Sequence, residues 1–382
     1  MKITKIDILP IRHYLFVQMH TDAGITGLGE AGNWGFLNAT KETIRKFSEY
    51  LIGKDPFQIE HHYQDMYRAM YFRGSVIMSA ISALEIAMWD IKGKALGVPI
   101  YELLGGRTRD RVRVYASNIR RDRRDADSIA EALKDLKNMG YTAGKIMLAD
   151  PVVQPDGKNE FYSNKVSLAA EKVIKAREAV GEDFDLILEV HRSMNVPEAI
   201  AFGKEVESCR PMVLEDPIPP DDVDAMAYVA GKVNIPIATG ERFCDYHEFK
   251  TLLARGGAQY VRPDVCAVGG IGISKKVTAL AEAFSAMIIP HNLLGPVSTA
   301  ACIQLCACST NVGIMELPAT MLNKSEDSML VKPMEIKDGC LMIPDGPGLG
   351  IELAENAGEL FPEKDRAEAQ AHLNFDGSVR DF

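Results

Sequence analysis

Phe184-Asp185-Leu186-Ile187-Leu188-Glu189-Val190-His191 is an apolar run that ends in charge, and the same form returns twice. Pro211-Met212-Val213-Leu214-Glu215-Asp216-Pro217 comes next, then Ile235-Pro236-Ile237-Ala238-Thr239-Gly240-Glu241-Arg242. The three glutamates recur at an interval of 26 residues. That is about the length of one strand, one helix and their connections, so equal spacing puts the carboxylates at equivalent ends of consecutive strands. In a (β/α)8 barrel such ends form the C-terminal rim, where active sites sit.

Working outward, short apolar runs lie at 112–116, 143–148, 184–190, 211–214, 235–238, 259–265, 287–290 and 312–315. Helical spacing fills the gaps: Ile129, Leu133, Leu136 and Met139 stop at Gly140, and Val166, Ala169, Val173, Ala176 and Val180 stop at Gly181. The alternation predicts an α/β fold, a (β/α)8 barrel over 111–318; a doubly wound sheet is the competing reading of alternation alone. Residues 1–110 have another rhythm. Strand-like alternation covers 3–20 and 25–30 around the turn Thr21-Asp22-Ala23-Gly24, helices are expected over 41–53 and 76–96, and Leu104-Gly105-Gly106 punctuates the end. This is read as one unit, bounded near residue 110. The segment 319–382 loses the strand–helix rhythm; it is expected to pack back on the N-terminal unit and to carry a short helix over 367–373.

The 382 residues include 43 Lys and Arg against 53 Asp and Glu, a formal net charge of −10. An acidic chain without a basic stripe is a poor partner for nucleic acid or an anionic membrane surface, and no run approaches the roughly 20 apolar residues of a membrane span. Met1-Lys2-Ile3-Thr4-Lys5-Ile6 alternates like a strand and has no signal-peptide core. The seven cysteines show no paired CxxC spacing, which reads as reduced thiols in a cytoplasmic protein. The expected partner is a small molecule, and an anionic one would need a local positive charge that a bound metal can supply.

Three converging carboxylates repel one another, and a hard divalent cation resolves the conflict, so Glu189, Glu215 and Glu241 are read as Mg2+ ligands. The next strands end Arg262-Pro263-Asp264, Pro290-His291-Asn292 and Met315-Glu316-Leu317. Asp264 beside His291 makes a carboxylate–imidazole pair, a general base. A lone histidine is more often structural; the neighbouring metal site reverses that prior. Lys145, at the end of the second strand, would bind a substrate carboxylate. His191 shares a face with Glu189 if strand alternation continues, and so points inward.

These motifs resemble the mandelate racemase subgroup of the enolase superfamily, and within it the galactonate and related acid-sugar dehydratases. The resemblance rests on Glu189-x-His191, Leu-Glu215-Asp-Pro, Gly-Glu241-Arg, Arg-Pro-Asp264, Pro-His291-Asn-Leu-Leu-Gly-Pro, Glu316, Trp89-Asp90-Ile91-Lys92-Gly93-Lys94, Leu103-Leu104-Gly105-Gly106 and Gly346-Pro347-Gly348-Leu349-Gly350, nearly the whole chain. It implies an α+β capping domain, made of residues 1–110 and the tail 319–382, over a modified (β/α)8 barrel, one Mg2+ held by Glu189, Glu215 and Glu241, and a dehydratase that removes the proton α to a carboxylate and expels the β-hydroxyl to give a 2-keto-3-deoxy sugar acid. It further implies His291–Asp264 as base, His191 as acid, Lys145 and Glu316 on the substrate's carboxylate side with Glu316 at least partly protonated if it donates, and a homo-oligomer. Alternatives are an epimerase, racemase or cycloisomerase working through the same enolate, and a non-catalytic sugar-acid-binding homologue.

Three positions depart from the family pattern. Glu189 stands where Asp is usual, Arg192-Ser193 replaces Gly-Arg, and Met147 occupies the place of a second lysine. Methionine is neither acid nor base, which turns the reading away from a lysine-based racemase. Trp34, in the loop 31–36, and Arg242 are read as substrate contacts. His61 and His62, on an expected helix, could touch a polyol, though a solvated face is the plainer reading. Gly269-Gly270-Ile271-Gly272 lacks the full dinucleotide fingerprint and is rejected as a nucleotide loop.

Overall fold

The structure, a computed structural model, describes residues 1–32, 36–69, 71–117, 125–148, 157, 161–322, 329–364 and 372–380. Trp34 lies outside the described residues.

The chain opens with β1 (Ile3–Ile11), β2 (Tyr14–Thr21) and β3 (Thr26–Ala31), an antiparallel sheet in that order. The alternation over 3–20 is therefore two strands, divided by a turn at Arg12-His13. Arg12 is left-handed, with φ of 53°. Its amide donates to the Phe361 carbonyl and its carbonyl accepts from Lys364, so the distant tail stabilises a turn with no local turn chemistry. Then come α1 (Leu37–Leu51), α2 (Ile59–Ala69), α3 (Ser75–Leu96) and the short α4 (Ile100–Leu103). The long helix α3 is buried along most of its length, lying against β3 and, at the join between this unit and the barrel, against the helix Ile271–Ala283.

Eight parallel strands follow, with helices between them: β4 (Arg111–Ser117), α5 (Ala126–Asn138), β5 (Ala143–Met147), α6 (Tyr162–Val180), β6 (Asp185–Glu189), α7 (Val196–Val206), β7 (Val213–Glu215), α8 (Val223–Ala230), β8 (Ile237–Thr239), α9 (Tyr246–Ala254), β9 (Tyr260–Val261), α10 (Ile271–Ala283), β10 (Met287–Ile288), α11 (Pro296–Ala307) and β11 (Met315–Pro318). Strands β4 to β10 pair in sequence order and β11 pairs with β4. A bridge between Ile288 and Val312 joins the two ends, so the sheet closes into a barrel. The competing doubly wound sheet is excluded. Tyr115, Ala143, Ile187, Val213, Ala238, Ile289 and Ile314 pack together in its interior.

The tail begins with β12 (Ile336–Lys337) and β13 (Cys340–Met342), which extend the barrel sheet beside the start of β4. Beyond them the chain returns to the capping unit: Leu349 donates to Asp90 of α3, and α12 (Ala357–Leu360) packs on β1. The helix expected over 367–373 is not formed at its end. Residues 367–371 lie outside the described residues, and β14 (His372–Leu373) pairs with β15 (Val379–Arg380) as a hairpin. Among the described residues no helix is long and apolar enough to cross a membrane, and all seven cysteines are free thiols.

Candidate active site

Strand register places the first two carboxylates. Glu189 ends β6 directly opposite Glu215, which ends β7. Glu241 is not in the same register, as equal spacing predicted: Glu215 pairs with Ala238, so Glu241 stands three positions further along. Gly240, at φ of 120°, turns the chain there, a conformation that side-chain-bearing residues rarely adopt. One ligand atom from each of the three carboxylates lies within 4.8 Å of the others.

Basic side chains reach into the cluster from below. The Lys145 ammonium is buried 2.7 Å from Glu215, 2.8 Å from Glu316 and 3.1 Å from Glu189. Arg262 is fully buried, 2.6 Å from Glu316 and 3.0 Å from Glu215, and it donates to the Tyr115 hydroxyl at 2.9 Å. Burial opposes both charges, but Glu215 and the carboxylates around it outweigh burial and push both pKa values well up. For Glu316 burial is overcome first by Lys145, then by Arg262, and its pKa falls well below the carboxylate range, a direction that favours the ionised form.

On the base side, His291 Nδ1 is 2.7 Å from Asp264 Oδ2, and Asp264 Oδ1 accepts from the Cys266 amide at 2.8 Å. His291 Nε2 faces Glu241 at 3.6 Å. Burial opposes the imidazolium; Glu241 and then Asp264 overcome it and raise the pKa to about 9.

His191 reaches the site by a different route from the one alternation predicts. Strand β6 has ended, and His191 and Arg192 are both left-handed, at φ of 53° and 64°. The His191 amide donates to Glu189 Oε1 at 2.8 Å, and the Arg192 guanidinium lies 2.9 Å from His191 Nε2. Burial, then Arg192, lower the imidazole pKa to about 4. Arg192 also spans Asp216 and Glu241, at 3.0 Å from each. A row of contacts therefore runs His291, Glu241, Arg192, His191. Arg242 follows Glu241 with its side chain exposed, outside the buried cluster.

The residues fit a divalent cation. Six carboxylates, those of Glu189, Glu215, Asp216, Glu241, Asp264 and Glu316, meet Lys145, Arg192, Arg262 and His291. Even with His291 protonated, negative charge is left over by an amount that one dication would balance. Glu215 Oε2 is buried, and no donor among the described residues reaches it. Burial, together with Glu189 beside it, pushes the Glu215 carboxyl well up despite Arg262 and Lys145, the strain that an added positive charge relieves.

The sequence reading did not assign roles to Arg192, Asp216 or Arg262. Arg262 did leave a signal, a cation inside the apolar run 259–265. His62 turns out to be structural, buried on α2 and bonded to the Tyr50 hydroxyl and the Asp55 carbonyl at 2.9 Å each, while Glu60 pairs with Lys276 at the surface.

Comparison with known proteins gives a consistent result. Residues 8–105 match the mandelate racemase / muconate lactonizing enzyme N-terminal domain, and residues 128–357 match the enolase C-terminal domain-like family. D-galactonate dehydratases from Pectobacterium atrosepticum and Ralstonia pickettii are 35% identical over 370 residues and 36% over 363, each alignment covering 93% of both chains. Among solved structures, a mandelate racemase/muconate lactonizing enzyme from Jannaschia sp. CCS1 is 31% identical with a TM-score of 0.88, covering 98% of this chain and 100% of the other. An enolase from Agrobacterium radiobacter with bound Na and L-malate is 30% identical with a TM-score of 0.90, covering 99% of both.

Proposed function

This chain belongs to the mandelate racemase / muconate lactonizing enzyme family of the enolase superfamily and is a hydro-lyase, and from that premise we propose that it is a Mg2+-dependent dehydratase of an acid sugar resembling D-galactonate. The observation that carries the reading is the His291–Asp264 pair set 3.6 Å from a carboxylate of the three-glutamate cluster.

Glu189, Glu215 and Glu241 would hold the cation. When bound it would supply positive charge beside the substrate carboxylate, where negative charge grows as the α-proton leaves. The protein's own groups do the rest. Asp264 holds Nδ1 of His291, so the neutral ring would take the proton on Nε2; Glu241, which favours the charged ring, would lose that pull once a cation engages it. Lys145, buried among three carboxylates, would add positive charge on the carboxylate side; Glu316, itself paired with Arg262, helps hold it there. The C–H electron pair becomes the new C=C bond, the β C–O bond breaks, and its electrons leave with the hydroxyl, which takes a proton and departs as water; His191 is assigned as the donor, and it must be charged for that step although burial and Arg192 favour its neutral form. The resulting enol tautomerises to a 2-keto-3-deoxy acid. Met147 and the triply paired Lys145 leave no lysine on the second strand to serve as a base, which favours elimination over a lysine-based racemisation.

The test is a screen of aldonates and aldarates, scored for 2-keto-3-deoxy products with and without chelator. Magnesium-dependent product from at least one sugar is expected. Deuterium exchange at Cα without any keto acid would replace the dehydratase by an epimerase or racemase.

A further inference from the structure

Strands β9 and β10 are two residues long. Asp264 and His291 stand beyond their ends, joined to each other by one isolated bridge and their side-chain hydrogen bond. Continuous strand pairing fixes Glu189 and Glu215; this pair has only that single bridge. The helices that follow, α10 and α11, begin at Gly270 and Gly295 with no side-chain cap of their own, whereas α7, α8 and α9 carry Asn195, Asp222 and Asp245.

The missing acceptors come from the capping unit. Glu85 of α3 accepts from the amides of Ile271 and Gly272, each at 2.8 Å. Glu30 of β3 accepts from those of Gly295 at 2.6 Å and Ser298 at 2.8 Å. Ser82 accepts from Gly269 at 2.9 Å, and Gly32 donates to the carbonyl of Cys266, whose amide holds Asp264. The glycine-rich run that is no nucleotide loop finds its use here: a Cβ on Gly270 would lie 2.0 Å from Glu85 Oε2.

We propose that Glu30 and Glu85 are positioning residues for proton abstraction. Acting through the first turns of α11 and α10, they set where His291 and Asp264 stand, so that docking of the capping unit completes the base. The proposal rests on His291 being the base. Burial raises Glu30 to about 8 and Glu85 to about 7 against the pull of the amides they accept from. A carboxyl so costly to bury persists where an apolar residue could not do its work.

The test compares Glu30→Gln and Glu85→Gln with Asp222→Ala, which removes a helix cap on the metal side of the rim. In both Gln variants kcat and α-proton exchange are expected to fall together by roughly 10- to 100-fold, the range for a reacting group displaced by about an ångström. KM and Mg2+ affinity should move by no more than about twofold, as expected of sites that act independently. Asp222→Ala should keep kcat. The downfield proton resonance of the His291–Asp264 hydrogen bond should shift in the Gln variants and hold still in Asp222→Ala, a readout that needs no substrate. Unchanged kcat and resonance in the Gln variants would overturn the proposal, as would a parallel loss of Mg2+ affinity. If either Gln variant does not fold, the other decides; Ser82→Ala, which removes one hydrogen bond, is the mildest of the set. A wild-type chain inactive on every acid sugar would count against the dehydratase reading, leaving the resonance to decide this one.

Discussion

Two halves of one rim are built differently. On the metal half, Glu189 and Glu215 are the last residues of paired strands, and the helices that follow cap themselves with Asn195, Asp222 and Asp245. On the base half, Asp264 and His291 lie past strands of two residues, and their helices borrow acceptors from Glu85 and Glu30. The metal half is thus complete within the barrel. The base half is complete only when the capping unit is seated. If Glu30 and Glu85 position the base as proposed, binding a cation and abstracting a proton are separable in this molecule.

The largest effect that can break this division belongs to His291. His291→Asn is expected to lower turnover by roughly 10²- to 10⁴-fold, the usual worth of a positioned acid–base group. Mg2+ binding measured by calorimetry should survive. Loss of both together would mean that the halves are one unit; near-normal turnover would remove His291 as base.

The converse change is Glu215→Gln. A ligand present at a hundred times its Kd stabilises the folded state by about 2.7 kcal/mol, and this variant should lose that gain in thermal unfolding with and without Mg2+. An undiminished shift would mean that the cation sits elsewhere. His191→Asn divides the reaction itself: keto-acid formation should fall by about 10²-fold while deuterium still enters at Cα. Equal loss of exchange and product would give His191 a part in the first step.

The barrel and its rim were legible because both are periodic. Eight apolar runs mark eight strands, and charge at their ends marks Glu189, Glu215, Glu241, Asp264, His291 and Glu316. What could not be read depends on contacts distant in sequence or on departures from the period. The Arg12 turn is held by Phe361 and Lys364. Strand alternation does not carry past Glu189, since His191 and Arg192 are left-handed, and a constant interval of 26 does not give Glu241 the register of Glu215. Glu30 and Glu85 act across the join between two units, and neither lies near the helix it caps in sequence. Glu85 did leave a trace: it is a buried charge in the middle of an apolar helix.

The smallest expected effect tests whether the metal half is as self-sufficient as its hydrogen bonds suggest. Asp222 Oδ1 accepts from the amides of Asp224 at 2.9 Å and Ala225 at 3.0 Å. Removing such a cap destabilises by about 1 kcal/mol, so Asp222→Ala should lower the unfolding free energy by about that amount in urea titration. Helix α8 follows the strand that carries Glu215, yet Glu215 is fixed by β6 on one side and by Lys145 and Arg262 within the barrel. Fraying of the first turn of α8 therefore has no route to the ligand, and Mg2+ affinity should not change. A weakened affinity would show that the ligands too depend on the helices behind them, and the division between the two halves would then be one of degree.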